Sequence, residues 1–156
     1  MSEGDTKMKI AFISTGHIHM RDFARSIKQR TQLEIVGIFD RNPALAAKWS
    51  KDLNAPVVED YRRILDDKSI EAVIIAGTTA EHAEYVVPTA QAGKKLYAEK
   101  PLATGYAQAH LMYRAIKGAG VLFQTGHFMR SDEKNRFVKQ EIEAGKRPAN
   151  FFEGMA

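Results

Sequence analysis

The sequence predicts an α/β fold, a parallel sheet with helices on both faces. Three observations predict it: short apolar runs rich in Val and Ile recur along the 156 residues, stretches of helical spacing separate them, and turn or cap residues such as Gly16, Asn42 and Gly93 stand at the joins. Strands that alternate with helices pair in parallel, since each crossover returns the chain to the same end of the sheet. Right-handed crossovers leave the crevice for a ligand outside the carboxyl ends of the strands.

Met8–Ile13 and Leu33–Phe39 are the first two strands, and Ile18, Phe23, Ala24 and Ile27 place a helix over Ile18–Arg30 between them. Pro43 suits a first helical turn, where its missing N–H costs nothing, so Asn42–Leu53 is a helix capped by Asn42. Val57-Val58 predicts a short third strand and Tyr61–Leu65 a turn or two of helix. Ala72–Ala76, apolar throughout, reads as a strand buried on both faces. Ala80–Ala92 follows as a helix kinked at Pro88 and closed by Gly93. Lys95–Ala98 is a strand, Thr104–Lys117 a helix loosened at Gly118 and Gly120, and Val121–Gln124 the sixth strand.

Composition narrows the function. With 44% hydrophobic residues the chain can bury one ordinary core. The absence of cysteine removes disulfides, thiolate metal sites and a cysteine nucleophile together, which fits a cytoplasmic protein. No run approaches the ~18 apolar residues of a membrane span, and the acidic start at Glu3 and Asp5 has no signal-peptide core, so no membrane partner is expected. The net charge of +4 comes from 23 basic residues scattered among 19 acidic ones, without an aromatic-interleaved basic stripe. Nucleic acid is therefore not an expected partner, whereas a small anionic ligand is compatible.

The strand ends carry the chemistry. The first reads Ser14-Thr15-Gly16-His17-Ile18-His19, a reduced Gly-x-Gly-x-x-Gly in which only the middle glycine survives. Gly16 lets backbone N–H groups approach a pyrophosphate at a helix N-terminus; a plain structural turn explains the same residues. Asp40, after the second strand, lies 24 positions beyond Gly16, near the ~20-residue interval of the acid that binds an adenosine ribose, though it could equally cap the next helix. Arg41 could meet a 2′-phosphate or stack on adenine, while Asp40 would repel that phosphate, so NAD is favoured and NADP stays open. At the third end Gly77, Thr78 and Thr79 permit a close ligand, Thr79 can cap the next helix, and His82 reads as a structural histidine before a catalytic one. The fourth end, Glu99-Lys100-Pro101, can hold an ammonium group against a hydroxyl. The fifth brings Gly126, His127 and Arg130. His17 and His19 could share one side of an extended turn, but the sequence places no third ligand beside them, so no metal site is expected.

Together these residues resemble the glucose–fructose oxidoreductase / inositol dehydrogenase (Gfo/Idh/MocA) family over roughly Met8–Ala156, with Glu99-Lys100-Pro101 as its Glu-Lys-Pro signature. The resemblance implies a Rossmann-type dinucleotide-binding domain over residues 8–130, after a disordered tail at 1–7. Residues 131–156 would hold a crossing helix, Asp132–Ala144, and the first strand of a largely missing substrate domain, Ala149–Met155. It also implies cofactor contacts from Thr15, Gly16, His17, Ile18, Asp40, Arg41, Thr78, Thr79, His82, Glu99, Lys100 and Arg130. Lys100 would be the catalytic residue, and a sugar, cyclitol or similar polyol the substrate. Ser14 and His19 depart from the glycine pattern, and Thr78-Thr79 stands where many relatives have Thr-Pro.

Hydride transfer requires substrate and nicotinamide in contact with water excluded, so the 156-residue chain is expected to bind more readily than it catalyses. Phe151 and Phe152 need a second sheet or another chain to cover them, and a homo-oligomer formed through the C-terminal region is expected. Two other readings compete: a non-catalytic dinucleotide-binding or redox-sensing module, and a related domain for another adenosine ligand.

Overall fold

Strand β1 (Met8–Ile13) sorts its side chains by its pleat, and the two faces of the molecule follow from that sorting. Ile10 and Phe12 join a core with Met20, Ala24 and Ile27 of helix α1 (Met20–Lys28) and Trp49 and Leu53 of helix α2 (Pro43–Leu53). Ala11 and Ile13 join the opposite core. There they meet Ile64 and Leu65 of α3 (Tyr61–Asp66), Tyr85, Val86 and Ala90 of α4 (His82–Gln91), and Met112 of α5 (Tyr106–Ala119). Such a strand cannot alternate polar with apolar residues, which is why MKIAFI reads as a nearly continuous apolar run.

The computed structural model describes residues 7–145. Its five strands pair entirely in parallel, in the order β2-β1-β3-β4-β5, with β2 at Leu33–Phe39, β3 at Ala72–Ile75, β4 at Lys95–Ala98 and β5 at Phe123–Thr125. The chain divides after Gly126: the sheet and α1–α5 form one unit, while the 3₁₀ turn Phe128–Arg130 and helix α6 (Glu133–Glu143), capped by Asp132, belong to the other. No helix among the described residues is long and apolar enough to cross a membrane.

The bounds of β1, β2 and β4 and the Asn42 cap match the expectation, and Asn42 accepts a hydrogen bond from the Ala44 N–H at 3.0 Å. Other details differ. Val57 forms only a single parallel bridge to Ile38, because Pro56 interrupts the donors and Glu59 follows at once, so the described residues hold five strands and not six. That bridge nonetheless occupies the outer place a third strand takes in a 3-2-1-4-5-6 sheet. In β3, Ala72 and Ile74 keep partial exposure beside fully buried Val73 and Ile75. Helix α1 begins at Met20 and not Ile18, since Ile18 and His19 are spent on the turn. The helix expected from Ala80 starts as a 3₁₀ turn, Thr79–Glu81, with Thr78 and not Thr79 as its N-cap. Helix α5 is shifted two residues later than expected, to Tyr106–Ala119, because Thr104 bonds Gln108 from outside the helix and Gly120 takes the left-handed C-cap. The fifth strand accordingly begins at Phe123 and not Val121. Residues 1–6 of the tail expected at 1–7, and the strand expected at Ala149–Met155 with Phe151 and Phe152, lie outside the described residues.

Candidate functional site

The first strand end turns at Ser14, whose φ of 61° is a left-handed conformation held by Ser14 N–H to Phe39 O at 2.8 Å and Ala76 N–H to Ser14 O at 3.0 Å. These bonds tie β1 to both neighbours where the strand order reverses. Thr15 follows, buried, and donates its N–H and its hydroxyl to Asp40 Oδ2, each at 2.7 Å. Asp40 Oδ1 meanwhile accepts the Asn42 N–H at 2.8 Å. The glycine turn and the acid after β2 are thus one hydrogen-bonded unit.

Two glycines here are glycines for different reasons. A Cβ on Gly77 would sit 2.2 Å from Ser14 Oγ and 2.9 Å from Glu81 Oε2, so internal packing forbids a side chain there. A Cβ on Gly16 would meet only Leu45 Cδ1, at 3.8 Å, and Gly16 does not adopt the left-handed φ that favours glycine. Nothing inside the fold demands Gly16; its bare backbone leaves room outside. Beside it Ile18 is 79% exposed, an apolar side chain held open at the turn.

Sequence reasoning missed Ser14, Glu81, Glu84, Tyr85 and Tyr97 as parts of the site. Glu81 accepts from Ser14 Oγ at 3.1 Å, from Thr78 N–H at 2.9 Å and from Thr78 Oγ1 at 2.8 Å. Burial pushes its carboxyl up, but those hydrogen bonds and the Arg41 charge outweigh burial and hold it below its ordinary value. The Thr-x-x-Glu spacing from Thr78 to Glu81 was the legible signal, since a glutamate at that offset reaches back to its cap. Arg41 is occupied within the fold: its guanidinium bonds Tyr85 Oη at 3.0 and 3.2 Å, Glu84 Oε2 at 2.6 Å and lies 3.2 Å from Glu81 Oε1. These partners, Tyr85 first, hold it charged well above the usual arginine range.

Glu99 is 1% exposed at the end of β4. Its Oε2 accepts the Lys100 N–H at 2.9 Å, its Oε1 accepts from Tyr97 Oη at 3.3 Å, and His19 Nδ1 lies 3.4 Å from Oε1. His17 Nδ1 is 3.9 Å from Oε2 and accepts the His19 N–H at 3.2 Å. Burial lowers the His17 pKa against the pull of the Glu99 charge, and burial with that same charge raises the Tyr97 phenol well above the usual tyrosine range. A Cβ on Gly126 would fall 2.6 Å from Glu99 Oε2, so the carboxylate is closed in by backbone from β5 as well.

His82 is buried completely, with Nδ1 3.0 Å from Leu102 O and Nε2 without a hydrogen-bond partner. Its ring thereby bonds the loop that follows Lys100-Pro101. Thr78, Thr79 and Lys100 stay at the strand ends in the first unit, whereas Arg130 is an exposed residue of the second. The third donor that the sequence did not place beside His17 and His19 is Glu99.

A parallel sheet that reverses order between β1 and β3, with a bare glycine turn bonded to an acid after β2, defines a doubly wound dinucleotide-binding domain. The chain belongs to the family described as "Oxidoreductase family, NAD-binding Rossmann fold", which it matches over residues 8–127. Its relatives include an inositol 2-dehydrogenase of Pseudomonas syringae, 31% identical over 142 residues, which cover 89% of this chain and 42% of the relative. A scyllo-inositol 2-dehydrogenase (NAD(+)) of Bacillus subtilis is 32% identical over 99 residues, 64% of this chain and 27% of that one. Among solved structures, the WlbA dehydrogenase of Bordetella pertussis, in complex with NADH and UDP-GlcNAcA, superposes with a TM-score of 0.81 at 25% identity, covering 92% of this chain and 42% of that one. The chain thus spans well under half the length of these relatives.

Proposed function

We propose that the chain binds a nicotinamide dinucleotide, NAD(H) in preference to NADP(H), as the cofactor domain of an oxidoreductase. That enzyme moves a hydride to or from a sugar, cyclitol or related polyhydroxylated molecule. The observation that carries the reading is Gly16, a glycine that no internal contact requires, beside an acid already bonded to its turn. A ligand that must approach the backbone closely supplies the missing reason.

In this reading the turn Thr15, Gly16, His17 and Ile18 receives the pyrophosphate, and Asp40 accepts from the adenosine ribose. A carboxylate offers about four acceptor sites, and three of those on Asp40 are taken by Thr15 and Asn42, leaving capacity for a ribose hydroxyl. A 2′-phosphate there would face the Asp40 charge, and Arg41, the cation that would offset it, is held by Glu81, Glu84 and Tyr85. Thr78 and Thr79 flank the dinucleotide at the end of β3. The nicotinamide supplies the hydride chemistry when bound. Glu99 and Lys100 orient its ribose and the reacting carbinol, with the Lys100 ammonium on the substrate hydroxyl, while His82 fixes the loop behind them. The relatives named for inositol oxidation support the polyol class of substrate, and the one named for NAD(+) supports the cofactor.

The 156-residue chain binds cofactor and turns over little by itself, because Lys100 alone does not exclude water from a bound substrate. Association of copies through the C-terminal region belongs to the same proposal, and sedimentation of the chain with and without residues 147–156 tests it. Titration of NADH against the chain, followed by nicotinamide fluorescence, tests the binding. Enhanced emission that NAD(+) competes away is expected; binding of ADP or ATP with no response to NADH would replace the reading with another adenosine ligand.

A further inference from the structure

Glu99 is a carboxylate buried to 1% exposure, and among the described residues no lysine or arginine pairs with it. Buried charges are compensated by an ion pair or by coordinating a metal. Its nearest side-chain neighbours are two imidazoles and a phenol, which is a ligand set and its outer partner more than a counter-charge. Each of His17, His19 and Glu99 offers a donor atom, and the three atoms lie within 4.8 Å of one another. His19 Nδ1 lies 3.4 Å from one carboxylate oxygen and His17 Nδ1 3.9 Å from the other, the first near and the second longer than the ~3.3 Å edge of a tetrahedron whose centre lies about 2.0 Å from its ligands, so an ion would draw His17 inward and replace the His19 N–H at its Nδ1. The carboxylate is in turn bonded by Tyr97 Oη and the Lys100 N–H, the outer partners that orient a ligating group. Three side chains from two distant parts of the sequence therefore converge on one point.

We infer that His17, His19 and Glu99 form a site for one divalent transition ion of the zinc class, with a fourth position left for water or an oxygen ligand. Two histidines and a carboxylate are borderline donors that suit zinc, cobalt or nickel over calcium or magnesium, which prefer oxygen cages. The departure of His19 from the glycine expected at that place in the turn gains a reason, since glycine would supply no donor. His17 and Glu99 also stand among the proposed cofactor contacts, so the ion is titrated in the absence of dinucleotide.

The full chain, freed of metal by chelation, is titrated with CoCl2 and with ZnCl2. The expected result is one Co(2+) per chain, with the intense visible bands of a four- or five-coordinate ion, displaced by Zn(2+). His19→Gln and Glu99→Gln should each weaken binding by on the order of 100-fold, Tyr97→Phe by roughly 10-fold, and His110→Gln, on the exposed α5, not at all. Circular dichroism confirms that each variant is folded; should Glu99→Gln fail to fold, His17→Gln carries the same test. Absence of Co(2+) binding, purely octahedral weak bands, or affinity unchanged in His17→Gln and His19→Gln would overturn the assignment.

Discussion

Thr15 donates both its backbone N–H and its hydroxyl to a single oxygen of Asp40, at 2.7 Å each, across a gap of 25 residues in sequence. The pair closes the glycine turn onto the end of β2, so the phosphate side and the ribose side of the site are set by one contact. Hydrogen bonds to a charged group contribute about 1.5–3 kcal/mol. Thr15→Val keeps the shape and the N–H bond and removes the hydroxyl. It should lower unfolding stability by about 1–2 kcal/mol in urea titrations, with little loss of secondary structure. Unchanged stability would show the hydroxyl contact to be incidental.

Cofactor preference rests on how firmly Arg41 is held. Its contact with Glu84 is exposed and contributes little, so Glu84→Gln should raise NADPH affinity by no more than about fivefold and leave NADH affinity as it was. Adding Asp40→Ser removes the repelling charge and should shift the preference further toward NADPH. Parallel fluorescence titrations of the two cofactors check the order.

The Glu81 carboxyl gives a pH signature. Its folded pKa is lowered from 4.5, so its contribution to stability is present above that value and lost as pH falls through the folded one. Glu81→Gln should cost about 1 kcal/mol at pH 7, and the gap to the unmodified chain should close as the pH drops below the ordinary carboxylate range. Urea midpoints across pH 3–7 measure it; a gap independent of pH would assign the loss to packing.

Lys100 is expected to serve transfer more than binding. In the complete enzyme, Lys100→Met should cut turnover by roughly 100-fold or more while NADH affinity stays nearly unchanged. Equal loss in both would make Lys100 a cofactor ligand only.

Much of the sheet was legible because β1, β2 and β4 are bounded by residues that cannot continue them: Ser14 and Gly16 after Ile13, Asp40 after Phe39, and the charged pair Glu99-Lys100 after Ala98. Val57-Val58 failed as a strand because two β-branched residues beside Pro56 make one bridge and no ladder. The strand-end places of Gly16, Asp40 and Glu99-Lys100 were legible because each closely follows an apolar run. The site was opaque where partners are far apart: Ser14 meets Glu81 across 67 residues, and His19 meets Glu99 across 80, distances that only the sheet order brings together. The contact of His82 with Leu102 O, across 20 residues, was equally hidden.

The proposed function places an NAD-type dinucleotide on the Asp40-bonded turn at Gly16. Calorimetric titration of NADH and NADPH into the full chain and into Asp40→Ala tests it most directly, with thermal melts to confirm that both are folded. NADH should bind the unmodified chain and NADPH more weakly, and Asp40→Ala should lose roughly 10- to 100-fold in NADH affinity while NADPH affinity holds or rises. Equal affinities for both cofactors that survive Asp40→Ala unchanged would contradict it.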